Sequence, residues 1–192
     1  MAVREILEIG HPVLAARAGE IDPGDIASPR VQGYIDDLID TMHAANGSGI
    51  AANQIGIPHR IFIAEVKGRN PRYPYKPPIP LTVLVNPVIT PLSEETFENN
   101  EGCLSVPDLR GTVTRHLEIE VSGYDRGGEA RRFPVRGYSA GTYQHELDHL
   151  DGVLFPHRVS DPTTFSSWKV FKEFKEEAFA SEVKQLVARW GA

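Results

Sequence analysis

Apolar positions along the chain change period several times, and each change predicts an element. From Ser28 to Asn46 they recur at helical spacing, with Val31, Ile35, Leu38, Ile39 and Met42 on one stripe. Ser28 suits the N-cap of this helix, Pro29 its first turn and Gly47 its stop. A small-residue loop, GSGIAANQIG (47–56), follows, and then RIFIAEV (60–66), whose branched residues predict a strand. Residues 67–80 hold five prolines, at 71, 74, 77, 78 and 80, and read as a surface excursion because LTVLVNPVI (81–89) resumes as strand at once. Further strands are expected around 94–101 and 112–124. In the second, Leu117, Ile119 and Val121 alternate with polar residues, which predicts one buried face. DRGG (125–128) is a hairpin turn leading into ARRFPVR (130–136). A helix is expected from about Ser139 to Leu150, and a second, long and charged, from Pro162 to Arg189. Short strands without regular βαβ alternation predict an α+β fold with antiparallel sheets.

The length of 192 residues fits a single domain spanning 1–192. With 41% hydrophobic and 24% charged residues, a disordered or fibrous chain is excluded. Twenty basic against 26 acidic residues, a net charge of −6, argue against a general nucleic-acid binder. One cysteine, Cys103, forbids an internal disulfide and fits a reducing compartment. No apolar run approaches the ~18 residues of a membrane span. Arg4, Glu5 and Glu8 interrupt the apolar residues of the amino terminus, so it does not read as a signal peptide. The expectation is a cytoplasmic protein without membrane partners.

The sharpest chemistry lies in QHELDHLDG (144–152). On a helix His145 and His149 stand one turn apart on one face, where both imidazoles reach a single metal, and Glu146 is placed to touch a water beside it. A catalytic site needs a third protein ligand. A histidine six residues after the second fails, because position 155 is Phe. Glu173, Glu176 or Glu177 would make a zinc metallopeptidase. Upstream, Cys103 in NNEGCLSVP (99–107) offers a thiolate, a strong ligand for zinc or ferrous iron.

Three segments, GSGIAANQ (47–54), EGCLSVP (101–107) and QHELDHLDG (144–152), resemble the three motifs of peptide deformylases, in that family's order. The resemblance extends over roughly residues 4–160, and the proline-rich segment is similar to the organelle-type and bacterial branch. It implies an α+β fold with antiparallel sheets around a central HExxH helix and a C-terminal helix. It implies removal of the formyl group from formyl-methionyl nascent peptides, with release of formate. The metal would be held by Cys103, His145 and His149; it is commonly Fe2+, with Zn2+, Ni2+ or Co2+ able to replace it. Glu146 would be the general base and acid, while Gln54 and the backbone N–H of Leu104 would donate to the oxyanion. The peptide would lie extended near Gly49 and Gly102. Helical spacing sets Tyr138, Gly141 and Thr142 beside the metal as the pocket for the methionine side chain. Many relatives carry bulkier apolar residues in this turn, so Gly141 and Thr142 imply a wider pocket, one that Gly141→Ile would close to bulky residues. Arg110 would meet the peptide backbone or its carboxylate, and Asp148, Arg115 and Glu101 would brace the site. The final helix, with Lys169, Lys172, Lys175 and Lys184 among glutamates, reads as solvated and amphipathic. Transient ribosome association fits the nascent-peptide substrate, the short amino terminus favours a bacterial over an organelle source, and a non-catalytic, deformylase-like metal-binding protein is an alternative against which the intact Glu146 and Gln54 argue.

Overall fold

The computed structural model describes residues 2–68, 70 and 72–191; of the five prolines in 67–80, Pro71 lies outside them. Helix α1 (Pro29–Ala44) begins as expected, the Ser28 side chain accepting from the Val31 N–H at 3.4 Å. The small-residue loop is partly regular. It forms strand β1 (Gly49–Ala51) and a 3-10 turn, Ala52–Ile55. Strand β2 (Ile61–Val66) and the long β3 (Ile79–Pro91) follow. The expected strands at 94–101 and 112–124 become three: β4 (Thr96–Cys103), β5 (Val106–His116) and β6 (Glu118–Tyr124). The break falls at Leu117. There the chain leaves one sheet for the other, while Leu117 stays buried and its N–H donates to the Glu95 carbonyl. Strand β7 (Ala130–Arg136) closes the anticipated hairpin, and α2 (Gly137–Leu150) follows directly.

All strand pairs are antiparallel. β1-β2-β3-β6-β7 form one sheet, and β4 and β5 form a separate hairpin. Strand β2 explains why its sequence is apolar without alternation. Phe62 and Ala64 pack into a cluster with Ala140, Tyr143 and Leu150 of α2, whereas Ile61 and Ile63 pack into another with Val31, Ile35, Leu38 and Met42 of α1. A strand buried on both faces loses the period-2 signal. Helix α2 therefore lies in the interior, covered by the five-stranded sheet and by the hairpin, and nearly all of it is buried.

The expected long C-terminal helix is two helices, α3 (Trp168–Phe174) and α4 (Glu176–Trp190). Ahead of α3, Ser166 bridges to Arg110 of β5 through two backbone hydrogen bonds, which holds 165–167 extended, and the Ser167 side chain caps the new helix. On either side of the break at Lys175, Phe171 and Phe179 enter one aromatic cluster with Tyr138. The outer faces remain charged and exposed, with Lys184 and Glu182 on solvent, as the amphipathic pattern predicts. No helix among the described residues is long and apolar enough to cross a membrane.

Candidate metal centre and its cleft

Helix α2 sets His145 and His149 one turn apart, and their Nε2 atoms face each other at 3.2 Å. The end of β4 brings Cys103 to the same point, with its Sγ 3.2 Å from His149 Nε2. All three ligand atoms lie within 4.8 Å of one another. Four ligands held tetrahedrally at zinc-like bond lengths stand roughly 3.3–3.7 Å apart, so this donor set fits one small divalent cation with a position left for water. Among the described residues this is the group of metal-ligating side chains that converges. Glu173 and Glu177 point to solvent from α3 and α4, so the metallopeptidase alternative lacks its third ligand.

The tautomer of His145 is set from behind. Its Nδ1 lies 2.8 Å from Glu101 Oε2, which leaves Nε2 for the shared vertex. Glu101 in turn takes two bonds from Arg115, at 2.8 and 3.0 Å, and Arg115 reaches Asp148 at 2.6 Å. Arg158 donates to the other oxygen of Asp148 at 2.7 Å. Burial opposes ionisation of Glu101, but the Arg115 guanidinium and the His145 bond outweigh it and hold its carboxyl well below the usual range. Burial, with the charge of His145 beside it, keeps His149 well below its ordinary pKa, hence a neutral imidazole. The Cys103 sulfur accepts from the Ser105 N–H at 3.3 Å and faces Gln54 Nε2 at 3.7 Å, donors suited to a thiolate.

Gln54 is fixed in one orientation. Its Oε1 accepts from the Ala51 N–H at 2.8 Å and its Nε2 donates to Ser105 Oγ at 3.0 Å, so its amide protons look toward the cluster. Glu146 is buried and makes no hydrogen bond through Oε2. Burial pushes its carboxyl up to about 7. Its carboxylate lies against Gly49, where any Cβ would overlap it; only glycine lets β1 come this close.

These groups open on a cleft of about 480 Å³ of empty space, part of it continuous with solvent. Gly49, Gln54, Glu101, Gly102, Cys103, Leu104, Arg110, Tyr138, Gly141, Thr142, His145 and Glu146 all line it, while His149, Arg115 and Asp148 stand behind. One expectation changes, and one acquires neighbours that the sequence did not show. A Cβ on Gly141 would sit 2.9 Å from the Asn99 amide and 3.1 Å from the Phe97 ring, so Gly141 serves the approach of α2 to β4 rather than widening the pocket. Arg110 is almost wholly committed. It donates to Asn100 Oδ1, to the Asn100 carbonyl and to the Tyr75 hydroxyl, and it stacks on Trp168 and Phe171; Nη1 alone remains without a partner.

The residues that pattern reading missed are Ser48, Tyr73, Lys76, Asn99 and Asn100, all lining the same cleft. The segment holding Tyr73 and Lys76 is not the simple surface excursion expected. Tyr73, Pro77 and Ile79 are buried. Its one available signal is YPYKPP (73–78), in which a lone lysine is set between aromatics and prolines.

A family model described as polypeptide deformylase matches residues 3–165. The chain belongs to the peptide deformylase family. Peptide deformylase 1 of Prochlorococcus marinus (strain MIT 9313) is 44% identical over 165 residues, 86% of this chain and 85% of that protein. The chloroplastic/mitochondrial peptide deformylase 1A of Arabidopsis thaliana is 43% identical over 84% of this chain and 62% of its own length. Among solved structures, the Met-Ala-Ser-bound class I type b deformylase from Acinetobacter baumannii superposes with a TM-score of 0.78 at 37% identity, covering 82% of this chain and 99% of that one. The deformylase from Thermotoga maritima gives 0.72 at 32% identity, covering 84% and 100%. The family-model match ends before α3, which supplies Trp168 and Phe171 around Arg110.

Proposed function

We propose that Cys103, His145 and His149 hold the metal of this deformylase, and that Glu146, Gln54 and Leu104 carry the hydrolysis of an N-terminal formamide. The observation that carries this reading is the convergence of one sulfur and two Nε2 atoms beside an unpaired, buried carboxylate. A divalent metal held there would supply Lewis acidity and lower the pKa of water. Glu146, buried at the centre with its Oε2 free of any hydrogen bond, would accept the proton of the attacking water and return it to the departing amine. Gln54 Nε2 and the Leu104 N–H donate to the oxyanion; loss of one such donor lowers kcat by roughly 10²–10³. The peptide runs extended between Gly49 and Gly102, and Tyr138, Thr142 and Arg110 flank its first residue. Glu101, Arg115 and Asp148 orient His145 and the helix that bears it.

We infer Fe2+ as the native metal from the resemblance to the deformylase family; thiolate with two imidazoles suits Fe2+ and Zn2+ alike, with Ni2+ and Co2+ as substitutes. The substrates by this reading are formylated nascent peptides met in the cytoplasm of a bacterial cell, through transient encounters with ribosomes. Formate release from formyl-Met-Ala-Ser, by nickel- or iron-loaded protein prepared without oxygen, tests the reaction. Glu146→Ala is expected to abolish release while one metal per chain remains, and Cys103→Ala to lose the metal. Release undiminished in Glu146→Ala would reject the assignment of the base.

A further inference from the structure

The two sheets leave unpaired strand edges on either side of the cleft. Among the described residues β1 pairs only with β2 and β4 only with β5, and Gly49 and Gly102 of these edge strands both line the cleft. Strand β4 ends at Cys103, beside the metal by the reading above, so a chain laid along its edge from the metal runs back past Gly102. What stands at Gly102 therefore meets the residues that follow the first. A Cβ built there would lie 2.9 Å from the Trp168 ring and 3.4 Å from Arg110 Nη1, the nitrogen without a partner.

Trp168 is also a wall of a second cavity. This open groove of about 1040 Å³ adjoins the cleft through Leu104, which lines both. Arg72, Lys169 and Lys172 give the groove its charge. Arg72 and Lys172 stand 4.8 and 5.9 Å from the centre of the Trp168 ring, and Arg110 stands 4.3 Å from it. Asp108 is the one acid in the lining, and its Oδ1 accepts from the Trp168 backbone N–H at 3.2 Å. Among the described residues, no carboxylate lies within ion-pair distance of Arg72, Arg110, Lys169 or Lys172. Cations gathered around one ring repel each other, and an anion that settles among them relieves the repulsion. The chain as a whole carries −6, so its overall field repels that same anion. Local and overall charge thus predict opposite preferences.

We propose that this groove selects formylated peptides with acidic side chains at the second to fourth positions, and that Arg72, Lys169 and Lys172 are the specificity-determining residues. At roughly 3.3 Å per extended residue, these positions cover the first ~10 Å beyond the formylated residue. The inference rests on the deformylase reading of the site, and it leaves the first side chain to the pocket of Tyr138 and Thr142.

Steady-state kinetics on amidated formyl-Met-Glu-Glu-Glu, formyl-Met-Gln-Gln-Gln and formyl-Met-Lys-Lys-Lys test it, in the nickel-loaded wild type and in Arg72→Gln/Lys169→Gln/Lys172→Gln. Wild type is expected to show a KM for the glutamyl peptide about 3–10-fold below that for the glutaminyl one, with the lysyl peptide highest and kcat little changed. The order should collapse in the triple variant, and in wild type at roughly 0.5 M salt. Lys169→Arg/Lys172→Arg should retain it. Equal KM values for the glutamyl and glutaminyl peptides, or a difference that the triple variant keeps, overturn the proposal. Calorimetry with amidated Met-Glu-Glu-Glu and Met-Gln-Gln-Gln separates the groove from the reaction. If no peptide yields formate, the hydrolytic reading fails, while tighter glutamyl binding that the triple variant loses still supports the groove. Equal binding of the two overturns it.

Discussion

At the scale of single residues, environment rather than identity sets the chemistry. Glu101 and Glu146 are both buried glutamates near one metal cluster, yet one is held ionised by Arg115 and the other, with no such partner, is pushed up to about 7. That contrast separates a brace from a proton carrier. Lys76 shows the same principle with the opposite charge. Its folded pKa, about 8, lies below its ordinary value because burial penalises the ammonium. The charged form therefore weakens the fold fully below about pH 8. The penalty fades as pH rises toward the unfolded lysine range, where both states are neutral. Lys76→Met is accordingly expected to stabilise the protein at pH 7 by about 1–3 kcal/mol, with the gain shrinking between pH 8 and 10.5. Denaturant titrations of both proteins across that range check it. A gain independent of pH would reject the desolvation account.

At the scale of elements, the centre depends on how α2 is clamped to the β4–β5 hairpin. The two bring together a chain of charges, His145–Glu101–Arg115–Asp148–Arg158, in which each acid faces two donors. Removing the middle of such a chain leaves two buried carboxylates facing each other. Arg115→Ala is expected to cost about 3–5 kcal/mol of stability. Through the freed His145 ring it should also weaken metal binding roughly 10–100-fold. Chemical denaturation and competition with a chelator measure the two effects separately. Unchanged metal affinity would confine Arg115 to a structural role. The glycines belong to the same scale. Gly49 lets β1 reach Glu146 and Gly141 lets α2 reach Asn99 and Phe97, so both act by allowing elements to approach.

At the scale of the whole molecule, α3 and α4 pack behind two residues that line the cleft, Arg110 and Tyr138. Phe171 is fully buried, stacks on Arg110 and meets Phe179, which touches both Tyr75 and Tyr138. Phe171→Ala is expected to destabilise the fold by about 3–5 kcal/mol. It should also raise KM for peptide more than it lowers kcat, because Arg110 and Tyr138 line the cleft without belonging to the metal cluster. Thermal unfolding and steady-state kinetics together test this; a fall in kcat alone would place these helices' influence at the metal instead.

The local pattern by itself determined α1 and its cap, the hairpin at 125–128, the α+β class and the pair of histidines one turn apart on α2. Each of these follows from short-range spacing or from one motif: helical period, turn chemistry and HExxH; Cys103 as their third partner came from the resemblance of three motifs, and the fold brings it to them. Only the tertiary structure decided the rest. Alternation runs through Leu117 unchanged, so it cannot reveal that 112–124 divides between two sheets. Amphipathic spacing over 162–189 cannot reveal the break at Lys175, because Phe171 and Phe179 obey one apolar stripe whether or not the helix is continuous. The arginine chain and Lys76 escape sequence reading for a related reason. A charged residue reads as solvated until distant segments enclose it, and Lys76 becomes part of the cleft only where Ser48 after α1 and Thr142 of α2 meet around it.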